Sequence, residues 1–199
     1  MTLRDRKRRR TRQAIVEAAV ELFEERGYEG TTIADIAEAA EIGTRTFFSY
    51  FASKEEVLYP ESDGRIVAVL EAIATRGPDD GPTDVLLRAL REVNRDSDDM
   101  VGRTAALRMR LIRTVPAVRG RGLQLQLDAQ REIARHLHAA FPGELDEVGA
   151  AALVGAFVGA ITGALQVLLE DADDLDTMRR RMAEATDAAL GPWMRDRQG

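Results

Sequence analysis

The stretch that decides the fold runs from Thr31 to Leu58 and reads TTIADIAEAAEIGTRTFFSYFASKEEVL. Thr32 can cap a helix, with Asp35 three residues on to close a capping box, and Ile33, Ile36, Ala37 and Ala40 then share one helical face. Ala40 to Gly43 breaks that pattern. Another short helix follows from Thr44 to about Phe51, with Phe47 and Phe51 stacked four residues apart. Ser53 and Glu56 make a second capping box, so a further helix is expected to start at once. Two short helices joined by a tight turn can lay one helix in the major groove of DNA while the other braces it.

Upstream, Ile15, Ala18, Ala19, Leu22 and Phe23 mark one face of an amphipathic helix that starts near Thr11 and ends at Gly27. Before it, Arg4, Arg6, Lys7, Arg8, Arg9, Arg10 and Arg12 stand against Asp5 alone, although the whole chain carries a net charge of -6. A local cationic tail on an acidic protein is favourable beside phosphates, because each neutralised phosphate releases counterions. The plainer reading is a solvated terminus.

The helical wheel sorts the candidate contacts. With Phe47 and Phe51 turned to the core, Arg45 and Ser49 project from the opposite side, flanked by Thr44, Thr46 and Phe48. Arg45 sits at the N-terminal end of its helix, where base edges are reached, and a guanidinium can bond guanine O6 and N7 together. Thr32, Thr46, Tyr50 and Lys54 offer hydroxyls and a cation to phosphate oxygens. Thr31, Arg8, Arg9 and Arg10 complete the expected DNA-contacting set. The competing reading makes Tyr50 a core phenol and Lys54 a solvated charge.

The Thr31–Leu58 string resembles the N-terminal DNA-binding domain of the TetR family, whose usual pattern is T-x-x-x-I-A-x-x-A-G-V-S-x-x-T-x-Y-x-Y-F-x-x-K. Thr32, Ile36, Ala37, Ala40, Thr46, Tyr50, Phe51 and Lys54 match it, and Ala18, Phe23, Gly27 and Tyr28 resemble the family's first helix. Three positions depart. Glu41 stands where the family has Gly, so a left-handed residue there would be strained. Gly43 replaces a capping Ser, and Phe48 replaces a Tyr, losing a hydroxyl but keeping a ring able to touch a thymine methyl. The resemblance implies a helix-turn-helix domain over 1–58 and a helical effector-binding and dimerisation domain over 59–199.

The remainder fits that division. Leu and Ala dominate the apolar positions, aromatics are 5%, and little alternates as a strand would, so the expected class is all-α. Helices are expected at Lys54–Thr75 with a bend at Pro60, Thr83–Asn94, Ser97–Thr114, Leu123–Ala140, Glu144–Glu170 and Leu175–Leu190. Pro116 is read as an interruption before the fourth of these. Val148 to Leu169 is uncharged and long enough to span a membrane, but it is rich in Ala and Gly and lacks aromatic and basic flanks. It is therefore read as a buried helix. Gly155, Gly159 and Gly163 at every fourth position would admit another backbone and suggest a subunit interface. One short helix reads too few bases, so a homodimer on a palindromic operator is expected.

Met109, Arg113, Phe157 and Thr162 are candidate pocket residues for a small-molecule effector. A similarity to TetR regulators that respond to acyl-CoA or related hydrophobic metabolites points to that ligand class. Arg108, Arg110 and Arg113 could meet an anionic ligand or simply form a solvated, salt-bridged face. The alternatives are a sequence-neutral architectural DNA-binding protein and a small helical enzyme. His136 and His138 are the only histidines and point about 200° apart on a helix, so they are not expected to share a metal. There is no Cys, no phosphate-cradling loop and no nucleophile elbow, so neither catalytic residues nor a cofactor are expected. No basic-then-apolar leader opens the sequence, which makes the cytoplasm the expected location.

Overall fold

A computed structural model describes residues 2–60, 62–96, 102–168 and 174–195. Among them are nine α-helices, one 3₁₀ turn and no strand. The chain packs as two compact units, residues 1–60 with 104–123, and residues 61–103 with 124–199.

The first unit contains α1 (Leu3–Arg26), α2 (Ile33–Ala39), α3 (Thr44–Phe47), the 3₁₀ turn Glu55–Leu58, most of α6 (Arg103–Thr114) and the start of α7 (Pro116–Ala140). Helix α1 begins eight residues before the expected Thr11. Thr2 and Asp5 form a capping box, so the basic segment is helix and not a tail. Ile15, Ala19, Phe23, Ile36, Ala37, Phe47, Phe51, Val57 and Leu58 are buried together with Ala105, Leu107, Val115 and Val118. Phe47 and Phe51 meet at 5.9 Å as their spacing predicts. Each fully buried aromatic of this kind contributes roughly 1.5–3 kcal/mol.

Helix α3 is only four residues long, and the expected helix from Lys54 to Thr75 is instead a 3₁₀ turn followed by a separate α4 (Ser62–Ala74). Pro60 separates them. Tyr59, before the proline, is pushed out of helical geometry to φ -125°, ψ 49°. The Ser53–Glu56 box does not form; Glu56 accepts from the Ala52 amide one residue earlier. Pro116 starts α7 instead of interrupting it, since the first helical residue needs no N–H.

Long-range bonds fasten this segment. Arg12 donates to the carbonyls of Tyr50 (2.9 Å) and Pro60 (2.9 Å) and lies 4.3 Å from the centre of the Phe51 ring. Lys54 Nζ donates to the carbonyls of Tyr28 (2.7 Å) and Thr31 (2.9 Å). Buried Arg108 donates to the Leu58 carbonyl, Arg121 pairs with Glu56 at 2.6 Å, and the Tyr59 hydroxyl donates to the Val118 carbonyl at 2.8 Å. Gly122, one turn beyond Val118, leaves room for that phenol, which a Cβ there would strike.

The second unit contains α4, α5 (Pro82–Asp96), the rest of α7, α8 (Glu147–Leu168) and α9 (Leu175–Arg195). Ile73, Leu86, Leu90, Leu137, Leu153, Phe157, Met182 and Leu190 form its core. Helix α9 extends beyond the expected Leu190 to Arg195, and its start is capped by the Asp174 carboxylate. Residues 97–101 and 169–170, included in the expected helices, lie outside the described residues.

Helix α8 is not buried all round. Ala150, Leu153, Val154 and Phe157 face the core, while Val148 and Val167 are 76% and 56% exposed. A Cβ on Gly155, Gly159 or Gly163 would meet nothing within 4 Å, so no other backbone of the described chain approaches them.

Glu41 is the one described non-glycine residue with positive φ, at 54°. It ends α2 in a Schellman motif, with the Ile42 amide bonded to the Ala37 carbonyl and the Glu41 amide to that of Glu38. Glu41→Gly is expected to stabilise the protein by about 1 kcal/mol and to raise its melting temperature by about 2–4 °C, read by thermal unfolding. Lys54→Met leaves two carbonyls without their charged donor and is expected to cost about 1–3 kcal/mol, read as a lower urea midpoint at unchanged m.

Candidate nucleic-acid interface

The structure builds the candidate surface from two capped helix starts. Thr32 caps α2, its hydroxyl accepting from the Asp35 amide while its own amide donates to the Asp35 carboxylate at 2.8 Å. The Thr32 hydroxyl also donates to that carboxylate at 2.6 Å, and this bond with the one from the Thr32 amide holds the exposed Asp35 carboxyl below its ordinary value of 3.8. Gly43 caps α3 with extended backbone and no side-chain bond. Helix α3 then presents Thr44, Arg45 and Thr46 to solvent, followed by Phe48 and Ser49, while Phe47 beneath them is buried.

Arg45 stands on the first turn of α3, exposed, with no hydrogen bond or ion pair among the described residues. Its five donors are therefore directed to solvent or to a partner. Phe48 is 55% exposed and packs edge-on against Phe47 at 5.6 Å, so its ring is held there without being covered. The Ser49 hydroxyl donates to the Thr46 carbonyl at 2.6 Å and keeps acceptor capacity outward. Tyr50 is partly exposed, with the Arg8 guanidinium 5.8 Å from its ring centre.

Other expected contacts face inward. Thr31 is 1% exposed, and its hydroxyl is near the carbonyls of Leu22 and Gly27, so it braces the α1–α2 link and is not open to a phosphate. Lys54 spends two of its three donors on backbone carbonyls and lies 3.9 Å from the centre of the Tyr28 ring. Its first role is structural. Tyr28 in turn donates to Glu55, and burial with that nearby carboxylate pushes its phenol pKa well up. Arg8, Arg9 and Arg10 are exposed, but on a helix they point in different directions, with Arg10 on the far side from Arg8.

The candidate pocket residues are not gathered within either unit. Met109 and Arg113 belong to the first, Phe157 and Thr162 to the second, and Phe157 is part of the buried core. The arginines of α6 do not form one face toward an anion either: Arg108 is buried on Leu58, and Arg110 lies 3.4 Å from Glu24. Sequence reasoning missed the bracing roles of Arg12, Arg108 and Tyr59, and the requirement for Gly122. Their partners lie from about 38 to 63 residues away, beyond any local pattern.

Comparison with known proteins agrees with this geometry. Residues 15–59 match the family of bacterial regulatory proteins described as the tetR family. The chain is 37% identical over 150 residues to the HTH-type transcriptional regulator TcmR of Streptomyces glaucescens, an alignment covering 73% of this chain and 66% of that protein. The chain therefore spans just under two thirds of that relative. Among solved structures, it resembles a transcriptional regulator of Aquifex aeolicus VF5 (TM-score 0.55, 20% identity, 89% of this chain and 98% of that one). It also resembles Thermus thermophilus FadR, a TetR-family repressor solved with lauroyl-CoA (TM-score 0.56, 21% identity, 90% and 93%). At those identities the structural likeness concerns the fold. Residues 15–59 therefore carry the helix-turn-helix segment of the tetR family of bacterial regulatory proteins.

Proposed function

We propose that the protein occupies a palindromic operator as a homodimer, represses transcription by excluding polymerase, and is released by a small-molecule ligand. The observation that carries the DNA-reading part is Arg45: an exposed guanidinium without an internal partner, at the N-terminal end of a braced helix, among exposed Thr44, Thr46, Phe48 and Ser49. A bidentate bond to guanine is the chemistry this arrangement offers. Phosphate contacts from Thr32, Thr46, Tyr50 and the helix-start amides would position the helix without specifying sequence. Its place of action is the bacterial cytoplasm, where the DNA is.

The homodimer reading is supported by the uncovered face of α8. By length and composition α8 could also cross a membrane. Its other face, however, is packed into a protein core shared with α9, whose exposed Arg180, Glu184 and Asp187 do not suit a lipid environment. Small residues on the open side favour a second copy of the same helix pair, α8 with α9, across a twofold axis.

Selection from random DNA is expected to return a twofold-symmetric site. Arg45→Ala is expected to relax the preference at one base pair in each half-site by about 1–3 kcal/mol, or roughly 5- to 150-fold. Equal weakening on all sequences would instead identify an architectural binder.

For the ligand, the lauroyl-CoA bound by the Thermus fold neighbour makes long-chain acyl-CoA the first class to test. If it binds the folded protein alone, a hundredfold excess over Kd adds about 2.7 kcal/mol, and the melting temperature rises by about 5–10 °C as operator is released. An unchanged melting temperature and an intact operator complex would exclude this class.

A further inference from the structure

We infer that the start of α1 engages DNA through one stripe of a helix, formed by Arg4 and Arg8, and not as a diffuse polycation. The inference rests on the operator-binding reading above and names a further part of that interface. Because the Thr2–Asp5 box starts the helix at Leu3, each basic residue holds a fixed angle about its axis.

Two contacts set the phase of that helix. Arg8 lies over the Tyr50 ring, and Arg12, one turn later, donates to the Tyr50 carbonyl. At about 100° per residue, Arg4 falls about 40° from Arg8 on this same side, and Lys7 and Arg9 flank it about 100° away in either direction. Arg6 and Arg10 point about 160° away, to the opposite side. Arg12 is committed to the Tyr50 and Pro60 carbonyls and the Phe51 ring, so it anchors the stripe without extending it. Arg4 and Arg8 are left exposed, about 6 Å apart along the axis, on the side that meets the reading segment.

The charge arrangement names the partner. Arg4 and Arg8 repel each other across one turn and sit at the positive end of the helix dipole. Asp5, the single acid of the segment, is taken up by its bonds to Thr2 and lies beside Arg9. A row of anions removes both penalties, and the sugar-phosphate backbone flanking the bases read by α3 supplies one. Each phosphate neutralised there contributes to the salt dependence of binding and not to base preference.

The test uses the full-length protein and the operator fragment recovered by selection, with Kd measured by fluorescence anisotropy across a series of salt concentrations. Arg4→Ala, Arg8→Ala, Arg6→Ala and Arg10→Ala each remove one positive charge from the same short segment, so a diffuse polycation responds equally to all four. The expected result is that Arg4→Ala and Arg8→Ala each weaken binding severalfold and reduce the slope of log K against log salt by about 0.9. Arg6→Ala and Arg10→Ala are expected to leave that slope unchanged. Four equal reductions, or none, would overturn the inference while leaving operator binding intact. Wild-type protein that binds no DNA would instead sink the operator reading and this inference with it. All four positions are exposed, so unchanged circular dichroism is expected to confirm folding in every variant.

Discussion

Because α3 is four residues long, it cannot satisfy the backbone around it by its own helical ladder, and the carbonyls that follow need donors from elsewhere. Those donors are cationic side chains: Arg12 at Tyr50 and Pro60, Arg108 at Leu58, and Lys54 at the link preceding α2. Charge-assisted bonds of this kind are stronger than neutral ones, and losing the donor strands a carbonyl. A helix too short to be stable alone is thus held in one orientation by bonds that arrive from α1, α6 and the 3₁₀ turn. Without that bracing, an exposed Arg45 would have no defined direction in which to present its donors.

The same residue types therefore do two jobs, separated by burial. Arg108 is buried and Arg12 half-buried, each with a carbonyl and an aromatic ring as partner. Arg45 and Arg4 are exposed on the first turns of their helices, and Arg8 is exposed one turn further along α1. The bracing set fixes the frame, and the exposed set is the one proposed to meet anions and base edges. Tyr59 joins the frame through Val118, and Gly122 gives it space, so α6 and the start of α7 belong to the reading unit by packing.

Local features of this unit were legible because their physics is local. The Thr32–Asp35 box and the Phe47–Phe51 pair each depend on residues within a few positions, whereas the left-handed turn at Glu41 was marked only by the Gly that the family pattern has there. The inward turn of Thr31 and Lys54 was not legible, since a hydroxyl or ammonium suited to a phosphate is equally suited to a backbone carbonyl. The start of α1 was missed for a related reason. Seven basic residues suggested a tail, while the two residues that decide otherwise, Thr2 and Asp5, form a box that closes ahead of any apolar periodicity. In α8 the apolar run identified the helix but could not say which face its own chain would cover.

Charge placement explains how an acidic protein can still favour DNA in one orientation. With a net charge of -6, the chain as a whole is repelled by a polyanion, and a quarter of its 28 basic residues lie within the first twelve positions. Long-range repulsion disfavours approach through acidic surfaces, while the cationic start of α1, phased by Arg8 and Arg12 onto Tyr50, attracts phosphates beside α3. Screening acts on both terms, because the Debye length near physiological salt is only about 8 Å. In the proposed complex, orientation at encounter is set by the helix phase of α1, and sequence choice by the short braced helix next to it. Fixing that phase matters more than adding charge, since a cation on the far side of α1 strengthens attraction without aligning Arg45 to the groove.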